Sequence, residues 1–495
     1  MKTETPTVEK NKFLILTLIV VSIIHIIYAS ITLRASYMDG AMFEMHILNS
    51  LANGTPSFPI DPEHTRSITM ILQQFPMMIG YLIGIRSSYW LYFIFSFWLF
   101  ASPLILVFAN WKLSQRTKRM DIFAISVFAY SVLIIPYSIF AVAEISMAAL
   151  LHLILFNYLS SDINYTKKDI SIITFLLITL FGGTEYVMFI GPIFFLAGLY
   201  YGSKTNNIRD KIVKYSIAIV GLIASIFVIA YFYMHTSMFV DGLRFTGEAQ
   251  DYFDRALKIN SIISILAIAL ITIFSTKKSY FTTRNKFVFM TLFSGLFLYM
   301  MNNLYTYLYP MLEGHLRTVP FWSMPIIFLA LFITDALNKK PSEVFYTNLV
   351  TISVICCIFH TGWQINNTYW FNKNIDYLKN TIKNAPAGLY FVTKDKNISS
   401  FYGNKDLRRY LWKYDYTASS IVFSGDYKIK TLVMPVEGTT PDERACNPTF
   451  AYMYEINGDK ITIPRITIDI KNRYWDLSGI LKDMEIYIKN RPKDN

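Results

Sequence analysis

The first polar stretch of the chain carries two carboxylates that could act as a general base. Asp39 and Glu44 follow the first apolar segment, in a stretch that reads as a short helix ending at Gly54. On a helix, Glu44 shares a face with Ile47 and Leu51, so its carboxyl is predicted to meet apolar neighbours. Such surroundings disfavour the charged carboxylate and raise its pKa toward the range of a general base. Asp39 has a simpler alternative role as a helix cap.

A second group of residues could bind a phosphate. Arg66, His315 and Arg317 are predicted on the same side of the membrane as the two carboxylates, and guanidinium groups suit phosphate because they bind it through two parallel hydrogen bonds. Anchoring to lipid head groups is the alternative role for the arginines. Four further polar residues are expected to line the same site: Gln73, Glu144, Glu185 and Glu313. For the three glutamates, the alternative is a solvated position in a loop.

The elements that must position these residues are hydrophobic. Of the 495 residues, 53% are hydrophobic and only 16% are charged, which is typical of a polytopic helical membrane protein. The net charge of +12 does not indicate nucleic-acid binding, because the basic residues cluster in short loops between apolar runs, where they set the orientation of the helices. The three cysteines provide neither a disulfide framework nor a cysteine zinc site.

Apolar runs predict about eleven transmembrane helices. With the basic loops in the cytoplasm, the N-terminus is predicted inside and the C-terminus outside, and the first outer loop covers residues 34–87. The predicted spans are, approximately, 13–33, 88–111, 121–140, 145–160, 170–183, 186–202, 213–235, 259–275, 287–309, 320–338 and 346–364.

The run at about 67–85 is predicted not to span the membrane. If it crossed, the basic loop from Lys112 to Arg119 would fall outside, against the positive-inside rule. Two amides and a proline, Gln73, Gln74 and Pro76, lie in its middle, and lipid-exposed backbone does not readily tolerate a proline. The run is therefore predicted as a juxtamembrane or re-entrant helix on the outer face.

The composition becomes polar after about residue 364. Strand-like runs are predicted at 388–393, 420–423, 430–434, 450–454 and 461–470, with a final helix near 477–489. The predicted fold is thus an all-α polytopic membrane protein over residues 1–364, followed by a small extracytoplasmic α/β domain over residues 365–495.

The arrangement of the chain resembles the GT-C superfamily of glycosyltransferases that use lipid-linked sugars. The resemblance rests on Asp39 and Glu44 in the first outer loop, with the stretch from Arg66 to Gly80 behind them, and it covers the layout of about 13–364. Within that superfamily the chain is most similar to bacterial and phage-type enzymes that decorate O-antigen or another surface polysaccharide. The first loop has no Asp-x-Asp pair, which disfavours metal-dependent chemistry of the oligosaccharyltransferase kind, although a divalent metal stays open.

The resemblance implies a reaction. A polyprenyl-phosphate sugar would be the donor, a surface glycan such as lipopolysaccharide O-antigen the acceptor, and the periplasmic face of a bacterial inner membrane the location. Asp39 or Glu44 would take the proton of the acceptor hydroxyl during attack on C1, with inversion at that carbon. Arg66 and Arg317, with His315, would stabilise the leaving lipid phosphate, so no cofactor is predicted.

Two other functional classes remain open. A flippase or transporter would place ionisable residues near mid-membrane and on both faces, but mid-span charges are scarce in this sequence. His152 and Asp335 are the best exceptions, and Asp335 is predicted at a cytoplasmic helix end. An O-antigen polymerase or ligase would depend on arginines in its large outer loops, and Arg244 and Arg255 would then be the key residues. A purely structural membrane protein is the remaining alternative.

Overall fold

A computed structural model shows that the part of the chain it describes is mostly helical. It describes residues 5–32, 47, 51, 67–135, 144–183, 186–234, 313–336, 346–347, 349–362, 364–365, 368–369, 388–392, 431–435, 455–457, 460–463, 466–469 and 474–476. The helices are α1 (Thr5–Ile31), α2 (Ser67–Leu82), α3 (Ser88–Thr117), α4 (Met120–Phe128), α5 (Glu144–Leu159), α6 (Lys167–Gly182), α7 (Val187–Lys204), α8 (Ile208–Met234), α9 (Glu313–Ala336) and α10 (Leu349–Gly362).

Four helices of the described part are long and apolar enough to cross a membrane. These are α1 over Phe13–Ile31, α3 over Ser88–Thr117, α7 over Val187–Lys204 and α8 over Ile208–Tyr231. Their outward faces are apolar, which a soluble bundle would avoid: on α8, Ile219, Ile223 and Ile226 are all exposed. The prediction of a helical membrane protein is therefore confirmed for the described part of the chain.

Small residues bring α7 and α8 into close contact. A Cβ atom at Gly191 would collide with the backbone of Gly221, and a Cβ atom at Gly198 would lie 2.6 Å from that of Ala218. The backbones approach this closely only because both α7 positions are glycine, which is how helices commonly pair in membranes. The hydroxyl of Ser225 adds a hydrogen bond to the backbone carbonyl of Met188, at 2.8 Å.

Helices α2 and α3 form an antiparallel pair that compensates for a proline. Pro76 has no N–H group, so it cannot donate to the carbonyl of Leu72, four residues earlier. The indole Nε1 of Trp98 on α3 donates to that carbonyl instead, at 2.9 Å. Nearer the turn, a Cβ atom at Gly80 would lie 3.2 Å from the side chain of Ile94, so the two helices also pack closely there.

Helix α4 continues into a π-helix at Ala129–Ile134. The N–H of Ile135 donates to Tyr130 rather than to Ser131, and the next residue, Pro136, has no N–H to offer. The carbonyl of Ser131 is instead bonded by Nδ1 of His360 on α10, at 2.8 Å.

One turn further along, Gln364 repeats this contact between the two helices. Its Nε2 donates to the carbonyl of Ile135 at 3.1 Å. The segment that follows α10 is thereby fixed to the end of the π-helix.

The tail contains two small three-stranded sheets. Parallel strands β1 (Gly388–Val392), β2 (Thr431–Pro435) and β6 (Tyr474–Asp476) form one sheet in the order β2-β1-β6, and antiparallel strands β3 (Glu455–Asn457), β4 (Lys460–Ile463) and β5 (Ile466–Asp469) form the other. The single strand predicted over 461–470 is wrong: Pro464 and Arg465 separate β4 from β5, which pair as a hairpin. A proline without an N–H interrupts a strand in this way. The runs predicted at 420–423 and 450–454 and the helix near 477–489 lie outside the described residues.

Candidate functional site

Charged and polar helix ends meet at one end of the bundle, here called the basic end and defined by Arg116, Arg119, Ser161, Lys204 and Asp335. Arg119 lies at its centre, between α3 and α4, and is 3% exposed. Its Nη2 bonds Asp121 at 2.7 Å, and its Nη1 bonds Asp335 of α9, also at 2.7 Å. One buried guanidinium therefore joins the start of α4 to the end of α9.

The electrostatics of the basic end favour a charged Arg119. Burial alone would lower the pKa of Arg119, but the carboxylates of Asp121 and Asp335 outweigh it and raise that pKa well above its ordinary value. The hydroxyl of Tyr201 bonds Asp335 as well. Every charge at this centre thus has a hydrogen-bonded partner of opposite sign.

A second ion pair at the basic end is combined with a helix cap. Arg116 Nη2 donates to Asp169 at 2.6 Å, while Asp169 and Thr166 form a capping box at the start of α6. Burial would raise the pKa of Asp169, but the hydrogen bonds from Thr166 and then Arg116 hold it below its ordinary value. The loop predicted from Lys112 to Arg119 is in fact helical as far as Thr117, since backbone hydrogen bonding continues where the apolar run stops.

An amide network extends from the basic end into the bundle. Asn157 Nδ2 donates to Asn110 at 2.7 Å and to Ser114 at 2.8 Å, and its Oδ1 accepts from Thr117 at 2.8 Å. Asn110 in turn donates to Ser126 of α4. Asn157 thus forms three hydrogen bonds to α3, and Asn110 extends the network to α4. The network therefore links α3, α4 and α5.

The opposite end of the bundle brings α2, α5 and α6 together at Gly183. Gly183 lies one α6 length from Asp169, about 21 Å away at 1.5 Å per residue. Its carbonyl accepts a hydrogen bond from the Thr69 hydroxyl of α2 at 2.8 Å. A Cβ atom at Gly183 would lie 3.5 Å from Ala148 of α5, and one at Gly182 would lie 2.5 Å from Ile68. The glycine at position 182 permits the approach of Ile68, whereas the 3.5 Å distance at Gly183 is an ordinary van der Waals contact.

His152 of α5 is completely buried beside the same junction. Its Nδ1 lies 2.6 Å from the hydroxyl of Tyr186, and the two rings meet edge to face. Its Cε1 is 3.5 Å from the position that a Cβ atom of Gly183 would occupy. This contact fixes the start of α7 against α5.

Helix α2 turns its polar side inward. Gln73 and Gln74 are each 1% exposed, whereas Ile71, Phe75 and Ile79 are all exposed. Gln74 Nε2 donates to the carbonyl of Met70 at 3.1 Å, yet within the described part of the chain neither glutamine Oε1 has a hydrogen-bond partner. Buried acceptors without partners are uncommon, and they contrast with the saturated basic end.

The predicted base residues and one predicted cation lie outside the described residues. This holds for Asp39, Glu44 and Arg66, and also for Glu185. The neighbours expected beside Glu44 are nevertheless placed: Ile47 is helical and 1% exposed, and Leu51 is helical and packs against the core. Ile47 and Leu51 therefore contact the bundle, while the prediction that Glu44 shares their surroundings lies outside the described residues.

The remaining predicted residues occupy helix starts or the buried face of α2. Glu144 is the first residue of α5, and Glu313 is the first residue of α9, with His315 and Arg317 in its first two turns. Their side chains lie outside what the structure describes. Gln73 is one turn from Thr69, so it lies on the side of α2 that meets Gly183. Of the predicted set, Gln73 and Glu144 are thus carried by elements that converge.

The structure adds residues that sequence reasoning did not select. Thr69 and Gln74 share the buried side of α2, and His360 and Gln364 bind the π-helix from α10. The sequence does contain a pattern that indicates this contact. His360 and Gln364 are polar residues four positions apart at the end of an apolar run. Pro136 has no N–H, so a helix that precedes it must leave a carbonyl without its backbone donor.

Among the described residues, no group of three or more His, Cys, Asp or Glu side chains could hold a metal ion.

Comparison with known proteins provides no further assignment. No protein-family model, curated protein or solved structure matches the chain.

Proposed function

We propose that this protein is an integral-membrane glycosyltransferase that moves a sugar from a polyprenyl-phosphate donor to a surface glycan such as lipopolysaccharide O-antigen. The reaction would take place at the periplasmic face of a bacterial inner membrane. The observation that supports it best is the junction at Gly183, where α2 with Gln73 and α5 with Glu144 at its start converge away from the basic end. Glu185, a further predicted lining residue, follows Gly183 by two positions in the sequence.

The orientation of the bundle is part of the proposal. The basic end gathers Arg116, Arg119 and Lys204, and positive charge favours the cytoplasmic side. The Gly183 junction then faces the periplasm. Helix α2 has 16 residues, too few for a straight span, and its exposed side is apolar, which supports a helix that dips into the bilayer rather than one that lies along its surface.

The finer architecture also belongs to the proposal. About eleven spans would form residues 1–364, and an extracytoplasmic α/β domain would form residues 365–495. The short strands β1 to β6 supply strand content to that second region. The fixing of Gln364 to Ile135 supplies a direct connection between its start and the bundle.

The chemistry follows from the residue types. Asp39 or Glu44 removes the proton from the acceptor hydroxyl as its oxygen attacks C1, and the bond from C1 to the lipid phosphate breaks. Arg66 and Arg317, with His315, neutralise the departing phosphate through charge-assisted hydrogen bonds. Attack from the side opposite the phosphate inverts the configuration at C1.

Radiolabel transfer from a panel of undecaprenyl-phosphate sugars to cell-envelope acceptors tests this function. Purified wild type and Glu44→Gln are compared, with Asp162→Asn as the control because Asp162 is an exposed carboxylate near the basic end. We expect transfer by wild type and control, and a rate lower by about 10²–10⁴-fold in Glu44→Gln, which is the usual contribution of a general base. Absence of transfer by wild type from every donor would instead favour a transporter or a polymerase.

A further inference from the structure

The buried side of α2 contains two hydrogen-bond acceptors that the described protein does not use. Gln73 and Gln74 are neighbours in sequence, so their side chains leave the helix about 100° apart at 3.6 residues per turn. Both are 1% exposed, and among the described residues no donor reaches either Oε1. Because the Gln74 amide nitrogen already donates to the Met70 carbonyl, that side chain presents its oxygen rather than its nitrogen.

The backbone carbonyl that the proline leaves open on α2 does have a donor, unlike the two glutamine oxygens. The carbonyl of Leu72, left without a donor by Pro76, is bonded by Trp98 at 2.9 Å. The Thr69 hydroxyl, one turn before Gln73, bonds the Gly183 carbonyl. The Leu72 carbonyl and the Thr69 hydroxyl of this short helix are thus hydrogen-bonded, while its two glutamine oxygens are unmatched among the described residues.

The chemistry of the missing partner follows from these acceptors. Two carbonyl oxygens require hydrogen-bond donors, and an ionised phosphate ester has none. A sugar ring presents several hydroxyl donors close together. Large apolar residues cover the other side of α2, so the ligand must come from the protein side, at the junction where Gly183 meets α2 and α5.

We propose that Gln73 and Gln74 are a specificity-determining pair that accepts hydrogen bonds from the sugar hydroxyls of the lipid-linked donor. The proposal rests on the proposed function, because that function supplies a polyprenyl-phosphate sugar as the ligand. A site built to bond a hydroxyl rejects a ligand that lacks it, since the buried acceptors are then left unpaired. The pair would thus select the donor sugar, while the predicted cations would bind its phosphate.

The test is a binding comparison with the full-length protein in lipid nanodiscs. The probes are undecaprenyl-phosphate hexoses and pentoses, bare undecaprenyl phosphate, and the methyl glycosides of the same sugars. We expect wild type to bind at least one sugar-bearing lipid at least tenfold more tightly than the bare lipid. Gln73→Leu and Gln74→Leu should lose this preference and still bind bare lipid as wild type does.

Melting temperature separates recognition from structural support. Leucine in place of a buried glutamine with an unused oxygen should leave the melting temperature unchanged or raise it. Gln364→Leu is the matched control, because Gln364 is equally buried and donates to Ile135. That variant should melt at a lower temperature and keep the preference for the sugar.

Three results would overturn the pair as a sugar site: no preference in wild type, an unchanged preference in both leucine variants, or a preference confined to the methyl glycosides. Its failure is distinguishable from that of the proposed function. A preference that depends on Gln73 and Gln74 without any sugar transfer would refute the transferase and retain the binding pair. Transfer with no such dependence would do the reverse.

Discussion

The two ends of the bundle treat buried polar groups differently. At the basic end, Arg119 bonds two carboxylates from separate helices, and Asn157 forms three side-chain hydrogen bonds. At the opposite end, α2 buries two glutamines whose oxygens have no partner in the described part of the chain. A saturated network stabilises one arrangement of helices, whereas open acceptors lower stability unless a ligand completes them. The difference points to architecture at one end and recognition at the other.

Removal of the central charge at the basic end should have the largest effect. Arg119→Met leaves the carboxylates of Asp121 and Asp335 buried without their cation, which should cost about 3–5 kcal/mol of stability. Thermal melting in detergent measures the loss. Arg116→Met is the control, because its side chain is 47% exposed and its ion pair should contribute only about 0–1 kcal/mol. Equal losses of stability in the two variants would contradict the central role assigned to Arg119.

The amide network should be the next most sensitive feature. Asn157→Leu leaves Thr117, Asn110 and Ser114 without their shared partner, which should cost about 1–3 kcal/mol. Asn164→Leu, at an exposed loop position, serves as the control in the same melting experiment. If Asn157→Leu melts at or above the wild-type temperature, the network is not what holds α3, α4 and α5 together.

A smaller effect should appear where α2 and α3 pair. Trp98→Phe removes the donor to Leu72 and should cost about 0.5–1.5 kcal/mol. In a Pro76→Ala background the restored amide of residue 76 can donate to Leu72, so Trp98→Phe should cost less there. Melting of the four proteins gives the coupling between the two positions. An identical loss in both backgrounds would show that the indole acts through packing alone.

The smallest expected effect is a pH dependence at the basic end. The pKa of Asp169 is lower in the folded protein than in the unfolded chain, so its contribution is fully present above the unfolded value of about 4. This stability should be lost as the pH falls through the lowered folded value. Melting temperatures measured between neutral and acidic pH should therefore fall less steeply for Asp169→Asn than for wild type. Parallel profiles would contradict the assignment.

Among the described residues, hydrophobic runs predicted the helices well and their ends less well. The spans predicted at 259–275 and 287–309 lie outside those residues. The run predicted at 145–160 corresponds to Glu144–Leu159, but α3, predicted to end at 111, continues to Thr117. Hydropathy registers the lipid boundary, whereas a helix ends where its backbone hydrogen bonds do. The strand error at 461–470 has a similar cause, because an alternating pattern does not show that the chain reverses direction between Ile463 and Ile466.

The candidate site could be predicted in its residue types but not in its partners. Gln73 was selectable as an amide within an apolar run, and Glu144 as an acid at a helix end. The contact of Thr69 with Gly183 joins positions 114 residues apart, and that of His360 with Ser131 joins positions 229 apart. No local pattern encodes such pairs, because they depend on how the helices pack.

The sequence by itself determined that the described part of the chain is helical and apolar enough for a membrane protein, since hydrophobic length is a property of segments. Only the tertiary structure decided which polar groups are satisfied. Arg119 lies 216 residues from Asp335 and still finds it, whereas Gln73 and Gln74 are buried without a donor in the described part of the chain. Satisfaction of a hydrogen bond depends on distances of about 3 Å between atoms on different helices, and packing alone sets those distances.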